Sequence, residues 1–415
     1  MQIFLITIFT LLSAISFLLF LYKYKFFPLW LMLSVWFVAI AISQLDLSSL
    51  EWVWPVKYWA LIGVSLVSFA LGSWLGERRR PVKRENTKIK NLRWVIYILF
   101  LVSCLCLYLF YKKAGNFPLL APDPDEFRFV ADDQVPGLVN YAAQLARIFI
   151  PLSFFLMFAE TFNWKKHWDL VVLCLLGTAG IILFASRTQI FFIDLWVMAL
   201  YLLMRRPNLK QALKFYPFFL IVSIVVLSLV PIIRQTRSYG SDYLGTITGI
   251  DTSHYNKLQK ALVPIYVGVS FNQQALLHAE QYYQTHELQY GKVSLDPFTN
   301  IFGKLIRPLN NLKSNYDLGA IFYPWWNTGT YLFPFVQDFG TAAFYFVPFV
   351  FGLILTLLWR HWQVNPNFLT INLYAYAIFF IVMGVYVSFT VRAEMYLDLM
   401  LLVASYLFVT KKHES

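Results

Sequence analysis

Apolar residues in this chain come in long runs, not in the short periodic stripes of a water-soluble fold. The runs lie at 3–22, 27–43, 56–76, 94–111, 138–160, 169–186, 188–204, 215–233, 341–359, 368–390 and 395–410. A helix of roughly 20 apolar residues crosses the hydrocarbon of a bilayer. Lipid offers no partner for backbone N–H and C=O groups, so each run predicts an α-helix that satisfies its own backbone. The pattern therefore predicts an all-α, polytopic integral membrane protein of about eleven spans, one transmembrane domain over 1–415. The first run lacks a basic leading segment and a clear small-residue cleavage site, and is read as a span, not a removed signal peptide.

Composition agrees. Hydrophobic residues make up 59% of the 415 residues and charged residues 13%, about half the share a soluble domain carries on its surface. Cys104, Cys106 and Cys174 all fall inside apolar runs, which fits neither a disulfide framework nor a zinc site.

The formal net charge of +12 changes the picture through its placement. More than half of the 34 Lys and Arg residues stand in six short gaps: Lys23/Lys25, the stretch from Arg78 to Arg93, Lys165/Lys166, Arg205 to Lys214, Arg360, and Lys411/Lys412. Basic residues in short loops mark the cytoplasmic side. This predicts a multi-pass protein with its N-terminus outside and its C-terminus in the cytoplasm, and excludes a nucleic-acid groove. The alternate gaps then face the periplasm. A first loop, 112–137, reads KKAGNFPLLAPDPDEFRFVADDQVPG and is dense in turn signals; a large loop spans 234–340. Within that loop 256–285 is expected to be helical, and IFYPWWNTGTYLFPFV at 321–336 reads as an interfacial or re-entrant piece broken by Pro, Asn and Gly.

Chemistry is expected where ionisable groups enter the membrane or gather on the outer face, because a charge in a span is costly unless paired or wetted. Arg147 lies inside the fifth run and Asp194 inside the seventh; an ion pair between them is one reading. Arg187 stands in the tight outward hairpin ASRTQ, Arg234 and Arg237 directly follow the eighth run, and Arg128 and Arg392 occupy outward loops. Guanidinium groups suit a pyrophosphate, because planar forks make bidentate, charge-assisted hydrogen bonds and stay protonated. For proton transfer the outer loops offer His254, His278, His286, Asp242, Glu280, Asp317, Asp338 and Glu394, with a pKa near working pH the requirement. Trp325, Trp326 and Tyr331 could stack on sugar rings, although aromatic belts are common at membrane interfaces. No HExxH or Cys/His cluster is present, and no metal or other cofactor is expected.

At these residues the chain resembles the Wzy-type polymerases, the O-antigen or oligosaccharide repeat-unit polymerase family. The hairpin ASRTQIFFIDLWVMALYLLMRR is similar to that family's small-residue–Arg–Thr turn. RQTRSYGSDYLG places Arg234 and Gly245 ten residues apart, like its RX10G pattern. SFNQQALLHAEQYYQTHELQYG, with Asn272, resembles a loop helix ending at Tyr-Gly, and NTGTYLFPFVQDFGTAAFYFVPFVFGL resembles its Thr-containing segment. Arg128 is followed by Gly137 after only eight residues, so a second RX10G is not there.

The resemblance implies a lipid-donor glycosyltransferase that polymerises undecaprenyl-pyrophosphate-linked repeat units into O-antigen or capsule at the periplasmic face. A lipid-linked glycan would serve as donor and another as acceptor, with a flippase and a chain-length regulator as partners. Arg187, Arg234 and Arg237 would hold the donor pyrophosphate and His278, Glu280 or Asp338 would act as base. Arg128, Arg147, Arg392, Asn272, Trp325, Trp326 and Tyr331 would contact substrate. An O-antigen ligase shares donor and topology, and a lipid-oligosaccharide flippase is the alternative from another class, though no internal repeat is present.

Overall fold

The computed structural model describes residues 2–23, 25–79, 81, 89–160, 162–207, 243–303 and 318–410. Among them the regular elements are all helical. A helix stands at each predicted span that falls in this set; the eighth, 215–233, lies outside it, as do Arg234 and Arg237. Seven helices are long and apolar enough to cross a membrane, and Pro28–Ser43 and Phe368–Met383 are shorter apolar helices. Large apolar side chains stand exposed along them, among them Ile98, Leu101 and Leu105 of Leu92–Ala114, and Leu175 and Ile182 of Trp164–Leu183. In water such patches would mark interfaces; against lipid they are ordinary surface.

Local signals end these helices. Asn163 accepts from the Lys165 N–H, and Asn367 and Thr370 form a reciprocal capping box at the start of Phe368–Met383. Asp123 accepts from the Asp125 and Glu126 N–H groups with Pro124 as the first helical residue, satisfying donors that have no partner inside a helix.

The helices form two compact units. The first takes residues 1–85 and 266–400. At its centre Val56–Arg78 lies against Ala343–Val364 at very close range. A Cβ on Gly72 would fall 2.0 Å from the Phe349 carbonyl oxygen, and one on Gly352 would fall 2.2 Å from that of Phe69. Ser65 Oγ donates across the same seam to the Phe344 carbonyl at 3.1 Å. Small residues let helix backbones approach where lipid supplies no hydrophobic drive between them.

The second unit takes residues 86–265 and 401–415. Leu92–Ala114 packs on Gly137–Ala143 and Ala146–Ala159, which in turn packs on Trp164–Leu183 and Arg187–Arg205. Phe110, Ala131, Val135, Ala143 and Phe184 form a buried cluster, and the Tyr97 hydroxyl donates to Asp169.

Two expectations of span shape change. The run 138–160 is not one continuous helix: Gly137–Ala143 and Ala146–Ala159 meet at Gln144 and Leu145. The run 368–390 is helical only to Met383. Beyond it the chain leaves the helix because its backbone is engaged elsewhere: the Gly384 carbonyl accepts from the Tyr331 N–H at 2.6 Å, and the Tyr386 carbonyl accepts from the Asn272 amide.

Candidate functional site

The first unit carries most of the candidate chemistry. The long helix Lys257–Tyr282 presents Tyr266, Ser270 and Gln274 at four-residue spacing, which is one stripe of a helix. The segment 44–55 lies along that stripe. The Leu47 N–H donates to the Tyr266 hydroxyl at 2.9 Å; the Trp52 N–H donates to Gln274 Oε1 at 3.1 Å, and Gln274 Nε2 returns to the Trp52 carbonyl at 3.0 Å. Glu51 accepts from the hydroxyls of Tyr266 and Ser270. Burial pushes the Glu51 carboxyl above its ordinary range, and the two hydroxyl donors offset this only in part. Burial, then the charge of Glu51, raises the Tyr266 hydroxyl in turn.

Farther along the helix Glu280, 3% exposed, holds Lys57 Nζ at 2.7 Å and accepts from Gln284 and Thr341. His278 stacks its ring 3.6 Å from that of Trp52 and 4.8 Å from Phe322. Burial lowers its pKa to about 4. Its Nε2 meets no hydrogen-bond partner among the described residues, so at neutral pH His278 is an uncharged, weakly basic ring in an aromatic stack.

Asn272 is a fully buried node. Its amide nitrogen donates to the carbonyls of Gly268 and Tyr386, and its oxygen accepts from Trp326 Nε1 at 3.2 Å and Thr328 Oγ1 at 3.0 Å. A primary amide offers two donors and one oxygen with two lone pairs, so Asn272 is saturated. It pins the segment 321–332 to the turn that follows Met383.

Beside this junction lies a cavity of about 170 Å³. Three segments line it: Val293 and Asp296 of the Lys292–Phe302 helix, Asn327, Thr328 and Gly329, and the turn Val387, Ser388, Val391 and Arg392. Its polar wall holds one carboxylate, one guanidinium, one amide and two hydroxyls. Asp338, fully buried, accepts from the Val293 N–H at 3.0 Å and the Ser294 N–H at 2.7 Å. It caps the helix that brings Asp296 to the cavity.

The expected site residues therefore separate. Arg392 lines the cavity; Asn272, Trp326 and Asp338 hold its walls from behind. Trp325 is half-buried and stacks on Tyr323 at 5.4 Å. Tyr331 is 2% exposed, its ring among Trp36, Phe351 and Phe380, and offers no face to a substrate. Arg128, Arg147 and Arg187 belong to the second unit.

In that unit Arg187 opens the helix Arg187–Arg205, two residues after the positive-φ Ala185. Arg147 is 4% exposed, with its guanidinium 4.5 Å above the Tyr141 ring. Gln189 donates to Gln144 at the break between the two short helices. Arg147 does not pair with Asp194, whose carboxylate makes no hydrogen bond or ion pair among the described residues.

Sequence reasoning passed over Glu51, Lys57, Asp296 and Ser388. Glu51 falls in the gap before the third run, Lys57 in the first turn of that run, and Ser388 inside the run 368–390. The four-residue spacing of Tyr266, Ser270 and Gln274 was the available sign of a polar stripe. Among the described residues no group of three His, Cys, Asp or Glu is placed to hold a metal ion. Comparison with family models, curated proteins and solved structures finds no match for the chain.

Proposed function

We propose that the protein is a membrane glycosyltransferase that polymerises lipid-pyrophosphate-linked oligosaccharide repeat units at the outer face of the bacterial inner membrane. Eleven spans, with the N-terminus outside and the C-terminus inside, complete this reading. The observation that carries it is the cavity beside Asn272. A wall of amide, hydroxyl, carboxylate and guanidinium groups is what a hydroxyl-rich ligand requires, and 293–296, 327–329, Val391 and Arg392 fall where the basic-gap pattern puts the exterior, beside the outer end of the run 368–390.

In the reaction, an acceptor sugar hydroxyl attacks the anomeric carbon of the donor. The new C–O bond forms as the anomeric bond to the carrier pyrophosphate breaks, the pyrophosphate departs with the electron pair, and the hydroxyl proton passes to a base. Arginines serve the departing dianion, since fixed positive groups stabilise charge that develops in the transition state. Arg187, Arg234 and Arg237 fill that role in this proposal.

For the base, the structure favours a carboxylate that faces the cavity. Asp338 is committed to two backbone N–H groups and Glu280 to Lys57; Asp296, which accepts from Asn300 of its own helix, lines the cavity itself.

The test is polymerisation by purified protein supplied with a defined lipid-linked repeat unit and no nucleotide sugar. Lengthening of the glycan is expected, with Arg187→Ala inactive at normal membrane levels. Lengthening only when nucleotide sugar is added overturns the proposal. Transfer to lipid A core without lengthening makes the protein a ligase, and movement of the lipid across the bilayer without new bonds makes it a flippase.

A further inference from the structure

The cavity beside Asn272 is small. Pockets that enclose drug-sized ligands run from about 300 to 1,000 Å³, and this one holds about 170 Å³. That is room for one ring, not for an oligosaccharide. Its chemistry is unevenly distributed. Val293, Val387 and Val391 give an apolar patch, while Asp296, Asn327, Thr328 and Ser388 supply acceptors and donors. A pyranose has the same division, with apolar C–H faces and a rim of hydroxyls.

Arg392 adds something a neutral sugar does not need. Its guanidinium makes no hydrogen bond or ion pair with any described residue, lies 5.9 Å from the Phe389 ring, and stands exposed at the cavity wall. Glu394, two residues on, does not take it up. The rest of the wall is held in place. Thr328 is fixed by Asn272, Ser388 by the Thr390 hydroxyl at 2.9 Å, and the helix bearing Asp296 by Asp338. One unspent planar cation beside a preorganised hydroxyl-binding wall matches a ring that carries a carboxylate, because the guanidinium fork meets a carboxylate in two parallel hydrogen bonds. A pyrophosphate brings at least two negative charges against the Asp296 carboxylate where a uronate brings one, and this cavity has a single guanidinium to offset them.

We infer that this cavity is a subsite for a single acidic sugar, a uronate-type ring of the repeat unit, with Arg392 on its carboxylate and Asp296, Asn327 and Ser388 on its hydroxyls. The inference rests on the glycosyltransferase reading for its biological meaning, but its binding test does not.

The experiment is ligand-observed NMR with the full-length protein in detergent, using glucuronate, glucose and inorganic phosphate as separate probes. Glucuronate is expected to bind in roughly the millimolar range, with glucose weaker and phosphate not competing. Arg392→Gln should weaken glucuronate by about tenfold, the value of one charge-assisted pair, and leave glucose unchanged; Arg392→Lys should restore part of it. Arg392 is exposed, so the melting temperature of both variants should equal that of the wild type. Equal binding of glucose and glucuronate overturns the inference, as does displacement of glucuronate by phosphate, or an Arg392→Gln variant that binds normally. Polymerisation with no uronate binding sinks the subsite alone. Uronate binding without polymerisation sinks the proposed function alone.

Discussion

Whether the first unit depends on backbone contact between Val56–Arg78 and Ala343–Val364 can be settled with three alanine substitutions. Gly72→Ala would set a methyl 2.0 Å from the Phe349 carbonyl oxygen, and Gly352→Ala would set one 2.2 Å from that of Phe69. Carbon and oxygen meet at roughly 3.3 Å, so each methyl arrives more than 1 Å too close. The obstructing atoms are backbone, which no rotamer change can move, so the helices must separate. A radial gap of about 1 Å already forfeits a quarter to a half of the dispersion energy at every contact along the seam. It also stretches the Ser65 hydrogen bond to Phe344, worth about 0.6 kcal/mol in a membrane.

Alanine favours helix over glycine by about 1 kcal/mol, which acts in the opposite direction. Overpacking costs about 1–3 kcal/mol and stands at its upper end when only backbone can yield, so the net effect is a loss of about 1–2 kcal/mol for each substitution. Gly63, on the same helix, has nothing within 4 Å of its would-be Cβ, so Gly63→Ala keeps the propensity gain alone. Fluorescence-detected size-exclusion after heating in detergent should rank Gly63→Ala at or above wild type and both other variants below it. If Gly72→Ala or Gly352→Ala survives heating as well as Gly63→Ala does, the close crossing is not what holds these helices together.

Three further substitutions probe the first unit. Glu51 has its folded pKa raised by burial, so the protonated form is the better fit. Its stabilisation is complete below the ordinary value of 4.5 and is lost as pH rises through the folded value; a melting series should show Glu51→Gln gaining on wild type as pH climbs, and a constant difference would contradict the assignment. His278→Phe keeps the stack on Trp52 and Phe322 and should preserve stability at pH 7 to within about 1.5 kcal/mol. It should also remove the stability loss that wild type suffers as pH falls from 6.5 to about 4. Polymerisation should continue in that variant, and a loss of activity without a loss of stability would return His278 to the chemistry. Asp338→Ala leaves the Val293 and Ser294 N–H groups without their acceptor, at a cost of about 1–3 kcal/mol; an unchanged melting temperature would show that the cap does not hold this helix.

Much of this fold was legible because a membrane imposes a coarse rule. Any apolar run of sufficient length must be helical, whatever its periodicity, and helices appear at 56–78, 92–114 and 164–183 within a few residues of their predicted bounds. Caps such as Asn163 and Asn367 act over two or three residues and leave a local trace. The departures arise where distant groups compete for the backbone or side chains of an apolar run. Ala142-Ala143-Gln144-Leu145-Ala146 has nothing in it that breaks a helix, yet a junction falls there, where Gln189 donates to Gln144 from 45 residues away. Val385 to Phe389 reads as the end of a span, yet the carbonyls of Gly384 and Tyr386 are taken by Tyr331 and Asn272.

The same competition explains which site residues were foreseeable. Arg392 stood out because charge near a span is conspicuous against an apolar background, and its position needed only topology. Asn272 and Asp338 were conspicuous for their polarity, but polarity does not say whether a buried group meets substrate or its own fold. Here both are saturated by protein partners, so they act through the walls they hold. Ser388 was hidden for the converse reason. Its hydroxyl became part of a cavity only because the helix stops at Met383, and that stop depends on a tyrosine and an asparagine some fifty and more than a hundred residues earlier in the chain. A cavity assembled from 293–296, 327–329 and 387–392 owes two of its walls to hydrogen bonding through Asn272 and the third to the Asp338 cap. Substituting Asn272 should therefore disturb the 327–329 and 387–392 walls together, whereas substituting Arg392 should change one contact and leave the walls standing.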